Sequence, residues 1–150
     1  MRVFAVDPGG STGFAEWRDG RFRAWWEPWE EACATVHREL ATDVDHCVFE
    51  SFHISAQTAK KSTAGSLQAI ELIGIGRYLS RAYDVTFTTQ SPSEAKMFAT
   101  DAKLRALGMW TKGVDHPRDA TRHLVLFLCN RRIIDLVQLR RSLDAAVKIR

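Results

Sequence analysis

Two short apolar runs in the N-terminal third of the chain each end in a single acidic residue. The first covers residues 2–7 and ends in Asp7, and the second covers residues 46–50 and ends in Glu50. Neither run has a polar face, which is typical of strands covered on both sides of a sheet. An ionised carboxylate in such a position is costly without a cationic partner. The pattern therefore predicts a site for a hard divalent cation at one edge of a sheet.

The remaining pattern of apolar and polar positions predicts a mixed fold. The tight-turn pair Asp19-Gly20 joins two predicted strands, residues 14–17 and 21–26, into a hairpin. One more strand is predicted at residues 85–89. The fold class is therefore α/β, with a mixed five-stranded sheet flanked by helices. Helical spacing and proline positions predict the helices at residues 28–40, 64–83, 92–107 (one helix or two), 117–129 and 133–149, with a loop or helix entry at 51–63.

The composition is that of a single soluble domain spanning residues 1–150. Hydrophobic residues make up 45% of the chain and charged residues 26%. No apolar stretch is long enough to span a membrane, and the chain enters its first strand without a signal peptide. Three cysteines without zinc-site spacing predict reduced thiols and a cytoplasmic protein.

Charge is distributed unevenly along the chain. Residues 1–50 carry five Lys and Arg against ten acidic residues, whereas residues 101–150 carry eleven against five. The basic C-terminal third is compatible with a polyanionic partner, and a set of solvated helix faces is the alternative. Four arginines in this region would contact a nucleic-acid backbone only if they share the face of the site: Arg131, Arg132, Arg140 and Arg141.

A third acidic element lies near the C-terminus, where His116, Asp119 and His123 have the spacing of one helix face. Pro117 suits the first helical position, which would place His116 near the N-cap and Asp119 in the first turn. An aspartate there can also serve only to stabilise the helix start. Together with the two strand-end acids, this element would supply three carboxylates and an imidazole, which suit Mg²⁺ or Mn²⁺. Two such ions can clamp the attacking water and the leaving oxygen of a phosphodiester.

These elements resemble RuvC-like Holliday junction resolvases, which belong to the ribonuclease H-like superfamily. Residues 7–13, Asp-Pro-Gly-Gly-Ser-Thr-Gly, are close to the family's first motif but one position shorter than Asp-Pro-Gly-x-x-x-x-Gly. Residues 48–50 look like its second acidic strand, and residues 116–120 look like its C-terminal His-x-x-Asp pair. Residues 67–74 and the Pro-x-x-x-Lys of residues 92–96 also follow in the family's order.

The resemblance implies a ribonuclease H-like nuclease domain that cuts branched DNA, such as four-way junctions, by paired phosphodiester hydrolysis. Its cofactor would be Mg²⁺, with Mn²⁺ able to substitute, and it would act as a homodimer through the helix at residues 64–83. The cytoplasm of a bacterium or of a phage-infected host would suit it. The implied catalytic and metal-binding residues are Asp7, Glu50, His116 and Asp119, with Asp115 as an alternative to His116, and the implied DNA-binding residues are Phe52, His53, Lys60, Lys61 and Lys96.

Three other functions use the same residues. Another ribonuclease H-like nuclease, acting on flaps, RNA or RNA–DNA hybrid, would need the same acids. Residues 7–13 are also similar to the first phosphate loop of actin-like ATPases and sugar kinases, but those need two such halves and this chain has room for one. A non-catalytic DNA-binding module is the third alternative, and the full acidic set argues against it, because unpaired buried carboxylates have little structural use.

Several of these side chains have a simpler structural explanation. Phe52 could equally pack in the core, and the implied DNA-binding lysines could be ordinary exposed residues. The aromatic cluster of Trp25, Trp26 and Trp29 is predicted to pack into a core or an interface rather than stack on bases. The apolar face of residues 64–83 could cover the sheet instead of forming a dimer contact.

Overall fold

A computed structural model describes residues 1–52 and 64–135 of the chain. Within these residues the chain forms five strands and five helices. The strands are β1 (Arg2–Asp7), β2 (Ser11–Arg18), β3 (Arg21–Pro28), β4 (His46–Glu50) and β5 (Thr86–Gln90). The helices are α1 (Trp29–Leu40), α2 (Ala64–Ala82), α3 (Pro92–Phe98), α4 (Asp101–Ala106) and α5 (Asp115–Asn130).

The strands form one mixed sheet in the order β3-β2-β1-β4-β5, which confirms the predicted fold class. The first three strands are an antiparallel meander, and β4 and β5 run parallel to β1. Val6 lies opposite Phe49, so the acids that follow them, Asp7 and Glu50, reach the same end of the sheet. Glu50 in turn lies opposite Gln90, the last residue of β5.

Each face of the sheet packs on its own hydrophobic core. Val3 and Ala5 of β1 belong to the core under α5, whereas Phe4 and Val6 belong to the core under α1 and α2. This division follows from the alternation of side chains along a strand. Asp7 continues the series of Val3 and Ala5, so its carboxylate lies on the face that α5 covers.

A buried ion-pair cluster ties the opposite end of β1 to β2 and α1. The guanidinium of Arg2 binds Glu39 and lies 3.2 Å from Glu16, and the Nε of Arg23 donates to Glu16 at 2.9 Å. Burial alone would raise the pKa of Glu16, but the hydrogen bonds from Arg2 and Arg23 outweigh it and lower that pKa. Removing Arg2 would leave two enclosed carboxylates with only the more exposed Arg23 and Arg38 as partners, so the cluster anchors the start of β1.

The helix predicted at residues 117–129 begins two residues earlier, at Asp115, with Val114 as its extended N-cap. Pro117 is therefore the third helical residue, where its missing N–H costs nothing because the first four N–H groups of a helix lack intrahelical partners. His116 is the second helical residue, two positions after the N-cap, as predicted. The predicted position of Asp119 was wrong, because it lies in the second turn rather than the first.

The region predicted as one helix or two at residues 92–107 forms two helices, since Thr100 caps α4 by accepting a hydrogen bond from the N–H of Lys103 at 3.4 Å. Other boundaries differ from prediction. Pro28 ends β3 and is the N-cap of α1, so this helix begins at Trp29, one residue later than predicted. Residues 133–135 are not helical, and the rest of the last predicted helix lies outside the described residues.

The tryptophan cluster packs only in part. Trp25 stacks on Phe14 with 5.2 Å between ring centroids, and the indole N–H of Trp29 donates to the carbonyl of Gln68 at 3.2 Å. Trp26 is not part of the core, because it is 47% exposed on the edge strand β3, and its packing in an interface stays a prediction.

All three cysteines lie in the described part of the chain. Cys33, Cys47 and Cys129 are free thiols, and burial raises the pKa of each. Among the described helices, none has both the length and the apolar character needed to cross a lipid bilayer.

Candidate active site

The N-terminal turns of α5 lie directly over the end of the sheet because Gly13 has no side chain. A Cβ at Gly13 would stand 2.0 Å from the carbonyl oxygen of His116 and 2.9 Å from the nitrogen of Pro117. Gly13 is also the β2 residue opposite Asp7. Gly13, the last residue of the first motif, therefore allows α5 to bring its polar residues close to the acids at the strand ends.

Asp7 and His116 form the first contact of the site. The Nδ1 of His116 lies 3.3 Å from an Oδ of Asp7, across 109 positions of sequence. Burial raises the pKa of Asp7, and the charges of Glu50 and Asp119 raise it further, although the hydrogen bond with His116 acts in the opposite direction. The same hydrogen bond raises the pKa of His116. A buried acid near two further acids is a pattern associated with functional sites.

Glu50 is held by His123, a residue that the sequence analysis placed on the helix face without a role. The imidazole is 1% exposed, and its Nε2 lies 2.9 Å from Oε2 of Glu50. Because a carboxylate only accepts hydrogen bonds, Nε2 carries the proton of this bond. The other ring nitrogen, Nδ1, lies 3.0 Å from the amide oxygen Oε1 of Gln90, a residue that the sequence analysis missed. No local motif points to either residue, since their contact depends on the β4–β5 register.

Asp119 is paired with two cations. Lys96 Nζ lies 3.0 Å from one carboxylate oxygen, and Nε of Arg122 lies 3.7 Å from the other. The hydrogen bond with Asp119 raises the pKa of Lys96, so this lysine remains charged at neutral pH. Arg122 also donates to Asp101 at 2.6 Å, which links α5 to α4. The lysine implied to bind DNA is thus an immediate neighbour of an implied catalytic acid.

Other candidate residues lie away from these contacts. Asp115, the alternative to His116, is 74% exposed and pairs with Arg118, so His116 is the residue that reaches Asp7. Arg131 and Arg132 follow the end of α5, about 18 Å along the helix axis from Asp119, and do not share the site. Arg140 and Arg141 lie outside the described residues, as do the implied DNA-binding residues His53, Lys60 and Lys61.

An open cavity of about 510 Å³ adjoins Glu50. Phe52 is half-buried in its wall, so the ring is neither a core residue nor fully exposed. Its other lining residues are Ser51, Ser91 and Pro92. In the turn after Asp7, the buried hydroxyl of Thr12 donates to the carbonyl of Gly9 at 3.0 Å.

The set of acids suits a hard divalent cation by donor type and by charge. Carboxylate oxygens are the ligands that Mg²⁺ prefers, and the raised pKa of Asp7 shows that the charges of Glu50 and Asp119 act on it. As they stand, however, no three acidic, histidine or cysteine side chains of residues 1–52 and 64–135 converge closely enough to hold an ion. Each of the three carboxylates is instead engaged by a basic side chain: His116, His123 or Lys96.

Comparison with known proteins identifies the fold. No protein-family model and no curated protein matches the sequence. The structure of Thermus thermophilus RuvC in complex with Holliday junction substrate matches with a TM-score of 0.61 and 14% identity, over 87% of this chain and 96% of that chain. A second T. thermophilus RuvC structure matches with a TM-score of 0.55 and 16% identity over the same shares. The described chain therefore has the ribonuclease H-like fold that the sequence predicted.

Proposed function

We propose that the protein is a metal-dependent, structure-selective endonuclease that resolves Holliday junctions and other branched DNA by paired phosphodiester hydrolysis. The observation that carries the proposal is that β1, β4 and α5 bring Asp7, Glu50 and Asp119 to the same end of the sheet, where each carboxylate contacts a basic side chain. The likeness to a RuvC structure described in complex with a Holliday junction substrate supports this choice of substrate.

The cofactor in this proposal is Mg²⁺ or Mn²⁺, held by Asp7, Glu50 and Asp119 with His116 as a fourth ligand or proton-transfer group. When bound, the ion would polarise the scissile phosphate and lower the pKa of an attacking water. His116 has a half-exposed ring in contact with Asp7, so it is placed to move a proton at the rim of the site. Lys96, whose side chain is 55% exposed, would meet the phosphate from the side of Asp119.

Phe52 would take part in DNA binding through its position in the wall of the open cavity next to Glu50. An aromatic ring there could stack on a base that leaves the duplex near the point of cleavage. The roles of His53, Lys60 and Lys61 remain predictions from the sequence.

The test is cleavage of a labelled synthetic four-way junction with and without Mg²⁺, beside linear duplex, flap and RNA–DNA hybrid. Paired symmetric nicks on the junction are expected, and they should be lost in EDTA and in Glu50→Gln and Asp119→Asn. The matched control is Asp115→Asn, because this exposed aspartate lies outside the site and should leave cleavage unchanged. Preferential cleavage of the flap or the hybrid would indicate a ribonuclease H-like nuclease with that substrate instead. If no substrate is cleaved in a metal-dependent way, the proposal that the protein is an enzyme is contradicted, and a DNA-binding module is the remaining alternative.

A homodimer is part of the proposal, and α2 offers a surface for it. Leu67, Ile70 and Tyr78 are exposed, and with Gly74 they fall on one helical face. Among the described residues, no atom lies within 4 Å of a Cβ at Gly74, so a second copy of the chain could approach this face closely. Cutting two strands of a junction symmetrically calls for two sites, which a twofold pair supplies.

We expect Ile70→Glu to convert the dimer to a monomer, because a charge would be buried in an apolar contact. Light scattering should show the mass fall to that of one chain, and junction cleavage should change from paired to single nicks. Met97→Glu is the control, since Met97 is also an exposed apolar residue, 76% against 39% for Ile70, and lies on α3 rather than α2. A wild-type protein that remains monomeric on the junction would overturn the dimer proposal.

A further inference from the structure

We infer that His123 and Gln90 act as a positioning pair that fixes the Glu50 carboxylate for metal binding. The inference rests on the proposed function and adds two residues to it. Neither is one of the residues that the RuvC-like resemblance identifies.

The three side chains come from three elements that meet only in the folded chain. Glu50 and Gln90 are opposite each other in parallel strands, so their side chains leave the same face of the sheet. His123 descends onto that face from α5 and lies between them, 2.9 Å from Glu50 and 3.0 Å from Gln90. With both ring nitrogens engaged, rotation of the imidazole would break two hydrogen bonds.

The surroundings of His123 argue for more than packing. Its neighbours on the buried side of α5 are apolar, among them Ala120, Leu124 and Phe127, and a leucine or phenylalanine would fill the position without the cost of burying a polar ring. The fully buried imidazole is therefore explained by its two partners, of which Glu50 belongs to the proposed metal site.

Glu50 differs from the other two acids in the mobility of its partner. His116 and Lys96 have side chains that are 47% and 55% exposed, so each can swing into solvent when a cation or a phosphate arrives. His123 is enclosed and cannot leave. Its bond engages Oε2 of Glu50 and leaves Oε1 out of the contact, so the carboxylate presents one oxygen in a fixed direction. Partners of this kind typically raise metal affinity by about 10–100-fold.

The experiment measures Mn²⁺ affinity by calorimetry alongside junction cleavage and thermal stability in EDTA. His123→Phe fills the buried space without a donor and should weaken Mn²⁺ binding about 10–100-fold while the protein stays folded. His123→Gln returns an N–H near Glu50 and should restore part of the affinity, which a purely structural role would not require. Gln90→Met keeps the histidine and should give a smaller loss. His46→Phe is the control, because this half-buried histidine packs at 5.2 Å from Phe127 at the other end of β4.

Unchanged Mn²⁺ affinity in a folded His123→Phe protein would overturn the positioning role while leaving the proposed nuclease intact. If that variant does not fold, Gln90→Met decides in its place, and an unchanged affinity there has the same meaning. Absence of Mn²⁺ binding and cleavage in the wild type would overturn both proposals together, so the two failures are distinguishable.

Discussion

Replacing Asp7 with asparagine should lower junction cleavage by about 10²–10³-fold and, in the absence of divalent cations, make the protein more stable. The two effects share one cause. Burial and the charges of Glu50 and Asp119 raise the pKa of Asp7, so the ionised Asp7 carboxylate destabilises the folded protein at neutral pH. Asparagine removes that charge and keeps an oxygen that can accept a hydrogen bond from His116. The expected gain is about 1 kcal/mol, or about 2–4 °C in Tm.

The stability gained through Asp7→Asn should depend on pH. Above the ordinary value of 3.8, the unfolded wild type has released the Asp7 proton while the folded protein still holds it, so wild-type stability falls as pH rises toward the raised pKa. Scanning calorimetry in EDTA should therefore show the advantage of Asp7→Asn growing with pH and vanishing in acid. Added Mg²⁺ should stabilise the wild type but not Asp7→Asn. A variant less stable than the wild type at pH 8 in EDTA would contradict the expectation, and Asp115→Asn serves as the exposed control.

Replacing Gly13 with alanine should disrupt both the fold and the site. The new Cβ would stand 2.0 Å from the His116 carbonyl oxygen, whereas a Cβ is essentially never closer than 3.0 Å to a heavy atom outside its own and the adjacent residues. Because the obstacle is backbone, α5 itself must move by about 1 Å. We expect a loss of about 3 kcal/mol, or about 6–12 °C in Tm. A displacement of this size should also lower cleavage about 100-fold.

Thermal unfolding and single-turnover cleavage of Gly13→Ala would be measured together. Asp115→Asn is the control for both measurements, because Asp115 is an exposed residue in the first turn of the same helix and lies outside the site. A Gly13→Ala protein with wild-type Tm and cleavage would show that α5 does not depend on this close approach.

The fold could be predicted largely because its central strands have no polar face. The apolar runs ending in Asp7 and Glu50 predicted two buried strands, and these strands are parallel in the structure. The turn at Asp19-Gly20 predicted the hairpin of β2 and β3. The start of α5 was predicted less well because a proline is tolerated anywhere in the first helical turn, not only at its first residue. The exposure of Trp26 was not predicted because a strand pattern does not reveal which strand lies at the edge of the sheet.

The partners of the acids could not be predicted. Lys96 was expected to reach DNA, but no pattern of residues indicated that it lies 3.0 Å from Asp119. Helical spacing put His123 on the face of His116 and Asp119, yet it could not show that this histidine is enclosed whereas His116 is half-exposed. These contacts depend on how α3 and α5 pack across the sheet, and that packing involves residues distant in sequence.

The position of α5 at the end of the described chain has a consequence for synthesis on the ribosome. A nascent chain that stops before Asp115 contains the whole sheet but lacks the cover for Val3, Ala5 and Val48, and it lacks two of the four proposed site residues. Contacts that span more than a hundred positions form late, because closing so long a loop is entropically costly. The growing polypeptide therefore lacks the complete proposed site until α5 has left the exit tunnel.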